Sequence, residues 1–195
     1  IEAVGIAIET ETDLGTANSV DVNAGADDDT GFLLGTTRDG IFTPLALVSA
    51  WPAPDPNVLA NLVDATGGTA NVGVTGITNG ELDPGEVLRF DFGPGTDYDG
   101  AGVNYTTNGF NSFNVTSAKF NFENFGILGA QQHFINYKVF FVGGGDSGLI
   151  SLEFNVNDFN NHVISAPPGK FIDYIEFSVP VGEESGAIAL VSVTP

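Results

Sequence analysis

Asp91, Asp97 and Asp99 fall close together in Phe90-Asp-Phe-Gly-Pro-Gly-Thr-Asp-Tyr-Asp-Gly100. Carboxylates are hard oxygen donors, and a Gly/Pro loop folds tightly enough to aim several of them at one point. Ca²⁺ requires that, because it takes six to eight oxygens from carboxylates, amides, carbonyls and water. The plain alternative is that Asp97 and Asp99 are solvated loop residues. The pairing of acid with glycine recurs, however. Gly25-Ala-Asp-Asp-Asp-Thr-Gly31 offers Asp27 and Asp29, since alternate residues, unlike consecutive ones, can point the same way. Asp83 and Glu86 flank Pro84-Gly85, and Asp146 follows Gly143-Gly-Gly. Solvated acids have no need of glycine neighbours, so the recurrence points to Ca²⁺, with several ions in the chain. No segment matches the twelve-residue EF-hand loop, and Asp97-Tyr-Asp-Gly100 is only a fragment of it.

Asp173 is a separate case. In Phe171-Ile-Asp-Tyr-Ile-Glu-Phe177 it shares strand parity with Phe171, Ile175 and Phe177. That parity predicts a carboxylate on the core face, where it must be paired or bound to a metal; at a sheet rim water would serve it. The expected metal ligands are therefore Asp27, Asp29, Asp91, Asp97, Asp99, Asp146 and Asp173. Aromatic and amide side chains beside a calcium loop suit sugar rings or peptide side chains. Tyr98, Asn104, Tyr105 and Asn108 are the ligand-binding candidates, whereas Trp51 reads more readily as core.

Catalysis finds little support. The two histidines, His133 and His162, have no motif spacing to a partner. No G-x-S-x-G, H-E-x-x-H or P-loop pattern occurs. Glycosidase chemistry needs two facing carboxylates, and nothing selects a pair from 25 acids. The expectation is a binding module, not an enzyme.

Charge narrows the partners. With 25 Asp and Glu against 5 Lys and Arg, the net charge is −20. Nucleic acid and anionic membrane surfaces both require clustered cations. Such an excess repels itself in the folded state unless cations neutralise it; bound Ca²⁺ would do so locally, and high external salt would do so diffusely. There is no cysteine, so disulfides and thiolate metal sites are excluded. No apolar run is long enough to span a membrane. The chain begins at Ile1 and reads as one monomeric module cut from a longer protein.

These residues need a scaffold, and the hydrophobic pattern describes it. Sixteen Phe against one Trp and no Met suit a sheet core. Residues 3–9, 41–50, 72–77, 86–92, 113–122, 134–142, 150–156, 171–178 and 187–193 read as strands. Residues 134–142 and 150–156 make the clearest hairpin. A parity change from Phe113 and Val115 to Phe120 and Phe122 predicts a bulge near Ala118-Lys119. Trp51-Pro-Ala-Pro-Asp-Pro56 should stop sheet pairing. Asp55-Pro56 then opens one short helix, with Val58, Leu59, Leu62 and Val63 on one face and Gly67-Gly68 as its end. Residues 101–109 read as a long loop. The whole chain, 1–195, is expected to be a single all-β, jelly-roll-like sandwich with one short helix and long calcium-binding loops.

Thr75-Gly-Ile-Thr-Asn-Gly-Glu-Leu-Asp-Pro-Gly-Glu-Val-Leu-Arg-Phe-Asp-Phe92 resembles a strand-opening segment in modules of large RTX-type bacterial adhesins. Phe171-Ile-Asp-Tyr-Ile-Glu-Phe177 and Gly186-Ala-Ile-Ala-Leu-Val-Ser-Val193 resemble the closing strands of those modules and of jelly-roll carbohydrate-binding modules. The resemblance covers about a quarter of the chain. It implies an extracellular, calcium-dependent module on a bacterial cell surface that binds either sugars or the C-terminal ends of proteins, with length, acidity and lack of Cys suiting the peptide type. A structural extender stiffened by Ca²⁺ is the other reading. The candidate residues come from loop chemistry, not from the resemblance.

Overall fold

Alternation of apolar and polar residues builds this chain from strands, and the order in which they pair makes a jelly roll. The structure is a computed structural model. It describes residues 6–7, 10–13, 32–39, 41–52, 61–64, 71–75, 82–92, 114–123, 125, 132–155 and 159–195. The strands are β1 (Ile6–Ala7), β2 (Thr10–Asp13), β3 (Phe32–Arg38), β4 (Ile41–Pro52), β5 (Asn61–Asp64), β6 (Asn71–Thr75) and β7 (Glu86–Asp91). They continue with β8 (Ser117–Glu123), β9 (His133–Phe141), β10 (Asp146–Phe154), β11 (Phe159–Ser165), β12 (Ile172–Ser178) and β13 (Ala187–Thr194). No helix occurs among the described residues.

Two antiparallel sheets form. One runs β11-β8-β13-β6-β5, with β1 also on β13; the other runs β10-β9-β12-β7-β4-β3-β2. Within them, β6 to β13 pair first with last: β6 with β13, β7 with β12, β8 with β11 and β9 with β10. This nested pairing is the jelly-roll order. It puts β10 and β11 at the same side of the sandwich, as edge strands of opposite sheets, with β9 next to β10.

The core lies between the sheets. Leu88 and Phe90 on β7, Ile175 and Phe177 on β12, and Phe120 and Phe122 on β8 are fully buried. Phe90, Phe120 and Phe177 meet edge to face across the sandwich, with centroids 4.9–5.8 Å apart, the geometry that aromatic quadrupoles prefer. His133 and His162 belong to this aromatic mass. His133 is 4% exposed and lies against Phe154. His162 lies among Phe122, Tyr137 and Phe159, where burial holds its imidazole below the usual histidine pKa. Both act as core rings.

Three expectations need correcting. Residues 61–64 are strand β5, not part of a helix; Leu62 pairs with Val74 and Asp64 with Val72. Leu62-Val63 is an apolar pair that fits either state, and pairing with Asn71-Val-Gly-Val-Thr75 outweighs a short helical period. The rest of that helix lies outside the described residues. Second, pairing does not stop before Trp51: β4 continues through Trp51 opposite Val87 and Pro52 opposite Glu86. A proline is tolerated at a strand end, where no ladder continues. Third, the parity change before Phe120 occurs at the bend at Thr116, ahead of β8. The bulge opposite Phe120 and Lys119 sits on the partner strand, between Leu190 and Ser192.

Candidate functional site

Strand β7 ends on Asp91, and the register of the sheet decides what stands beside it. Asp91 is opposite Tyr174 of β12 and Leu47 of β4, and is 3% exposed. One residue later the Phe92 N–H donates to the Asp173 carbonyl at 2.8 Å. Asp173 does not face the core as its parity suggested. Pairing with β9 shifts between Ile172 and Tyr174, so Asp173 is the extra residue of a bulge. Ile172 and Ile175 point inward on either side of it, and Asp173 is only half-buried. A bulge re-aims a side chain, and a period-2 reading cannot see it.

Tyr174 reports the electrostatics here. Burial pushes its hydroxyl pKa up; the Arg89 guanidinium opposes that rise, and Glu176, Asp173 and Asp91 add to it. Asp91 and Asp173 therefore share one neighbourhood, at the end of β7 that leads in sequence to Asp97, Tyr98 and Asp99. Those three residues, with Asp27, Asp29, Asn104, Tyr105 and Asn108, lie outside the described residues. Among the described residues, no three His, Cys, Asp or Glu side chains group to hold a metal ion. Asp91 and Asp173 could furnish part of an oxygen shell that the following loop would complete.

Asp146 occupies a different corner. It lies on β10, three strands from β7 in the sheet. Its Oδ2 is 2.9 Å from Lys138 Nζ, and its Oδ1 accepts the Gly148 N–H at 2.8 Å. These partners, Lys138 first, hold its carboxyl below the usual range. The sequence places Asp146 with the metal ligands; the structure gives its oxygens to a salt bridge and a turn.

The outer face of the larger sheet carries an aromatic pair that would be a natural sugar platform if its ring faces were open. Phe140 and Tyr174 stack with centroids 4.2 Å apart. The Arg89 guanidinium lies 4.0 Å from the Tyr174 centroid, and Lys138 Nζ lies 4.7 Å from that of Phe140. Glu176 and Asp146 hold the two cations at 2.6 and 2.9 Å. Cation, ring, ring, cation is a closed stack that links β7, β12 and β9, and it leaves neither ring face for a sugar.

The turn Asp83-Pro-Gly-Glu86 collects two buried carboxylates. Gly85, at φ +98°, supplies the left-handed residue. The Glu86 N–H donates to the Asp83 carbonyl at 3.1 Å, and Glu86 Oε2 accepts the Asp83 N–H at 2.9 Å. Burial raises the Glu86 pKa; the Asp83 amide lowers it, and the Asp83 charge raises it again. A raised carboxyl pKa stabilises the fold fully below the usual glutamate range, and that contribution is lost as pH climbs through the raised value. Glu86→Gln keeps the acceptor and removes the charge. We expect it to melt at the same or a higher temperature than the parent at pH 7, and to lose less stability between pH 4 and 8. Melting curves across that range test this, and a Gln variant markedly less stable at pH 7 would contradict it.

The last feature, a slot at the open side of the sandwich, has no signature in the local sequence pattern. Buried Val139, Phe141 and Ile164 and the more exposed Tyr137, Ile150 and Val163 line it, together with the polar Asp146, Ser147 and Ser165. Its volume is ≈ 410 Å³, within the range of small-ligand pockets. Lys170 stands at one end, its Nζ 4.9 Å from the Phe141 ring centroid. The slot exists because β9–β10 and β11 belong to opposite sheets, a juxtaposition of segments far apart in the chain. Comparison with protein-family models, curated proteins and solved structures returns no match.

Proposed function

We propose that this chain is a calcium-dependent ligand-binding module of a bacterial surface adhesin, taking peptide ends on target cells in cell adhesion and biofilm formation. One observation carries the reading. The register of β7 and β12 brings Asp91 and Asp173, distant in sequence, to one place beside Tyr174. That place is where β7 runs on towards Asp97 and Asp99. Carboxylates from two strands and a glycine-rich loop are the donor chemistry that Ca²⁺ selects. The net charge of −20 supports a cationic cofactor, since it leaves the folded chain in need of counter-charge. The closed Arg89–Tyr174–Phe140–Lys138 stack favours peptide over glycan, because it withdraws the aromatic pair from sugar stacking.

An array of glycans and of peptides with free C-termini, probed in Ca²⁺ and again in chelator, tests the proposal. We expect calcium-dependent capture of peptides. The double variant Asp97→Asn, Asp99→Asn should lose it by roughly tenfold or more while its circular dichroism stays unchanged. If the folded double variant bound as well as the parent, the loop would not be the calcium site. Capture that survives chelation would remove the role of Ca²⁺ in binding.

A further inference from the structure

We propose that β11 is an acid-released edge strand: protonation of His162 opens it from β8 in mild acid while the rest of the sandwich stays folded. The inference does not depend on which ligand the module takes.

The strand is lightly held. It ends its sheet and pairs on one side only, with β8. That pairing is interrupted between Phe159 and His162, where Asn161 takes the left-handed φ of +62°. Asn160, Asn161, Val163 and Ser165 are exposed, so Phe159, His162 and Ile164 are the side chains that anchor it. Just beyond it the Ala166 N–H donates to the Thr116 carbonyl at 2.8 Å. An edge strand with few buried contacts opens at less cost than global unfolding.

His162 is the anchor that changes with pH. It stands opposite Phe120 of β8. Its ring meets those of Phe122, Tyr137 and Phe159 at 5.9, 6.0 and 5.6 Å between centroids. Its Nε2 is shut off from solvent and has no hydrogen-bond partner. In the neutral ring Nε2 can be an idle acceptor, but an imidazolium carries N–H donors on both nitrogens. Protonation therefore puts an unpaired donor and a charge among aromatic rings. Attraction to the ring faces offsets only part of that.

No counter-charge faces it among the described residues. Its neighbours are Phe120 and Phe122 from β8, Tyr137 from β9 and Phe159 from β11 itself. Of these only the Tyr137 hydroxyl titrates, and burial pushes it above the usual tyrosine value. The charged groups of the surrounding strands are placed elsewhere. Lys119 is opposite Val163 and Glu123 opposite Ala187. Lys138 is held by Asp146, Arg89 holds Glu176, and Glu153 accepts from Gln132 Nε2 at 2.6 Å. Lys170 lies over the Phe141 ring.

Burial holds the closed-state His162 below the usual histidine pKa. In the opened strand water restores the ordinary value, about 6.5. The open state therefore takes up the proton first. As pH falls below that value the closed state loses stability against the open one, until the closed-state value is passed. Val163, Ile164 and Ser165 also line the slot, so opening β11 takes down one of its walls. His133 is the internal control. Its Nδ1 is likewise buried without a partner, but β9 pairs with β10 on one side and β12 on the other, so no comparable release is open to it.

Amide hydrogen exchange read residue by residue by NMR tests this, on the full chain in Ca²⁺ between about pH 7.5 and 5.5, each rate being referred to that of an unstructured chain at the same pH. We expect protection of the β11 amides to fall roughly tenfold over that range, with β12 amides as the unmoved reference. His162→Phe keeps a ring without a titrating nitrogen and should remove the fall; His162→Leu is the second variant. His133→Phe should leave the fall in place. In the parent, which needs no variant to fold, the His162 imidazole should titrate with a midpoint below about 6.5. Protection of β11 that does not change with pH, or a fall shared equally by β12, would overturn the proposal. So would a fall that persists in a folded His162 variant, one that vanishes in His133→Phe, or a parent midpoint at or above the ordinary value.

Discussion

Phe122→Ala should cost about 3–5 kcal/mol of stability, the usual loss for a large buried aromatic. For a domain of this size that is on the order of 10 °C in melting temperature. Phe122 is fully buried on β8 and lies where both sheets converge. Its ring is 5.8 Å from Phe177 of the opposite sheet, 6.0 Å from Phe154 on β10 and 5.9 Å from His162 on β11. Truncation removes the shared neighbour of three strands. Phe122→Leu should cost distinctly less, because it keeps most of the volume. Chemical denaturation of the parent and both variants measures this, and an Ala variant within 1 kcal/mol of the parent would mean that the aromatic mass is not the core we describe.

Gly186→Ala should also be severely destabilising, for the opposite reason. Gly186 is buried and exchanges backbone hydrogen bonds with Leu82, its carbonyl accepting at 2.7 Å. A Cβ there would stand 2.3 Å from Cδ2 of Phe125, closer than any real contact. Phe125 is itself fully buried and packed edge to face against Phe154 at 5.4 Å, so the ring cannot swing away. Overpacking of this kind costs about 1–3 kcal/mol, and sometimes more. The diagnostic is the double variant Gly186→Ala, Phe125→Leu: a smaller side chain at 125 should absorb the methyl, so the two costs should sum to more than the cost of the pair. Strict additivity would place the strain of Gly186→Ala elsewhere.

Much of the architecture was legible in local alternation. β7 and the β9–β10 hairpin carry alternation, and β12 and β13 are apolar enough to read as strands although each is broken by a bulge; the turns between them carry glycine or proline. Strands with weaker patterns were not. β11, Phe159-Asn-Asn-His-Val-Ile-Ser165, is a polar edge strand, and β2 and β3 lie in or just after a polar stretch without a clear alternation. β5 was read as helix because a short apolar pair fits both periods. The site was legible in part. Asp91 and Asp173 were both singled out in sequence, but only the register of β7 with β12 makes them neighbours. The bulge at Asp173 breaks the parity argument that first drew notice to it. Asp146 shows the converse: a glycine-flanked acid whose oxygens serve Lys138 and a turn. The slot could not be read at all, since it is created by strands of opposite sheets.

Calcium binding by the native state is the claim on which the rest depends. A cation that binds the folded chain and not the unfolded one stabilises by mass action, about 2.7 kcal/mol at a hundredfold excess over the dissociation constant. At this size that is roughly 5–10 °C. The direct measurement is a melting curve of protein stripped by chelator, shown to be metal-free by elemental analysis, and titrated with Ca²⁺. The account predicts a rise of that order by millimolar Ca²⁺, with a far smaller response to Mg²⁺, which demands a tighter octahedral shell. A melting temperature that does not move with Ca²⁺ would contradict it.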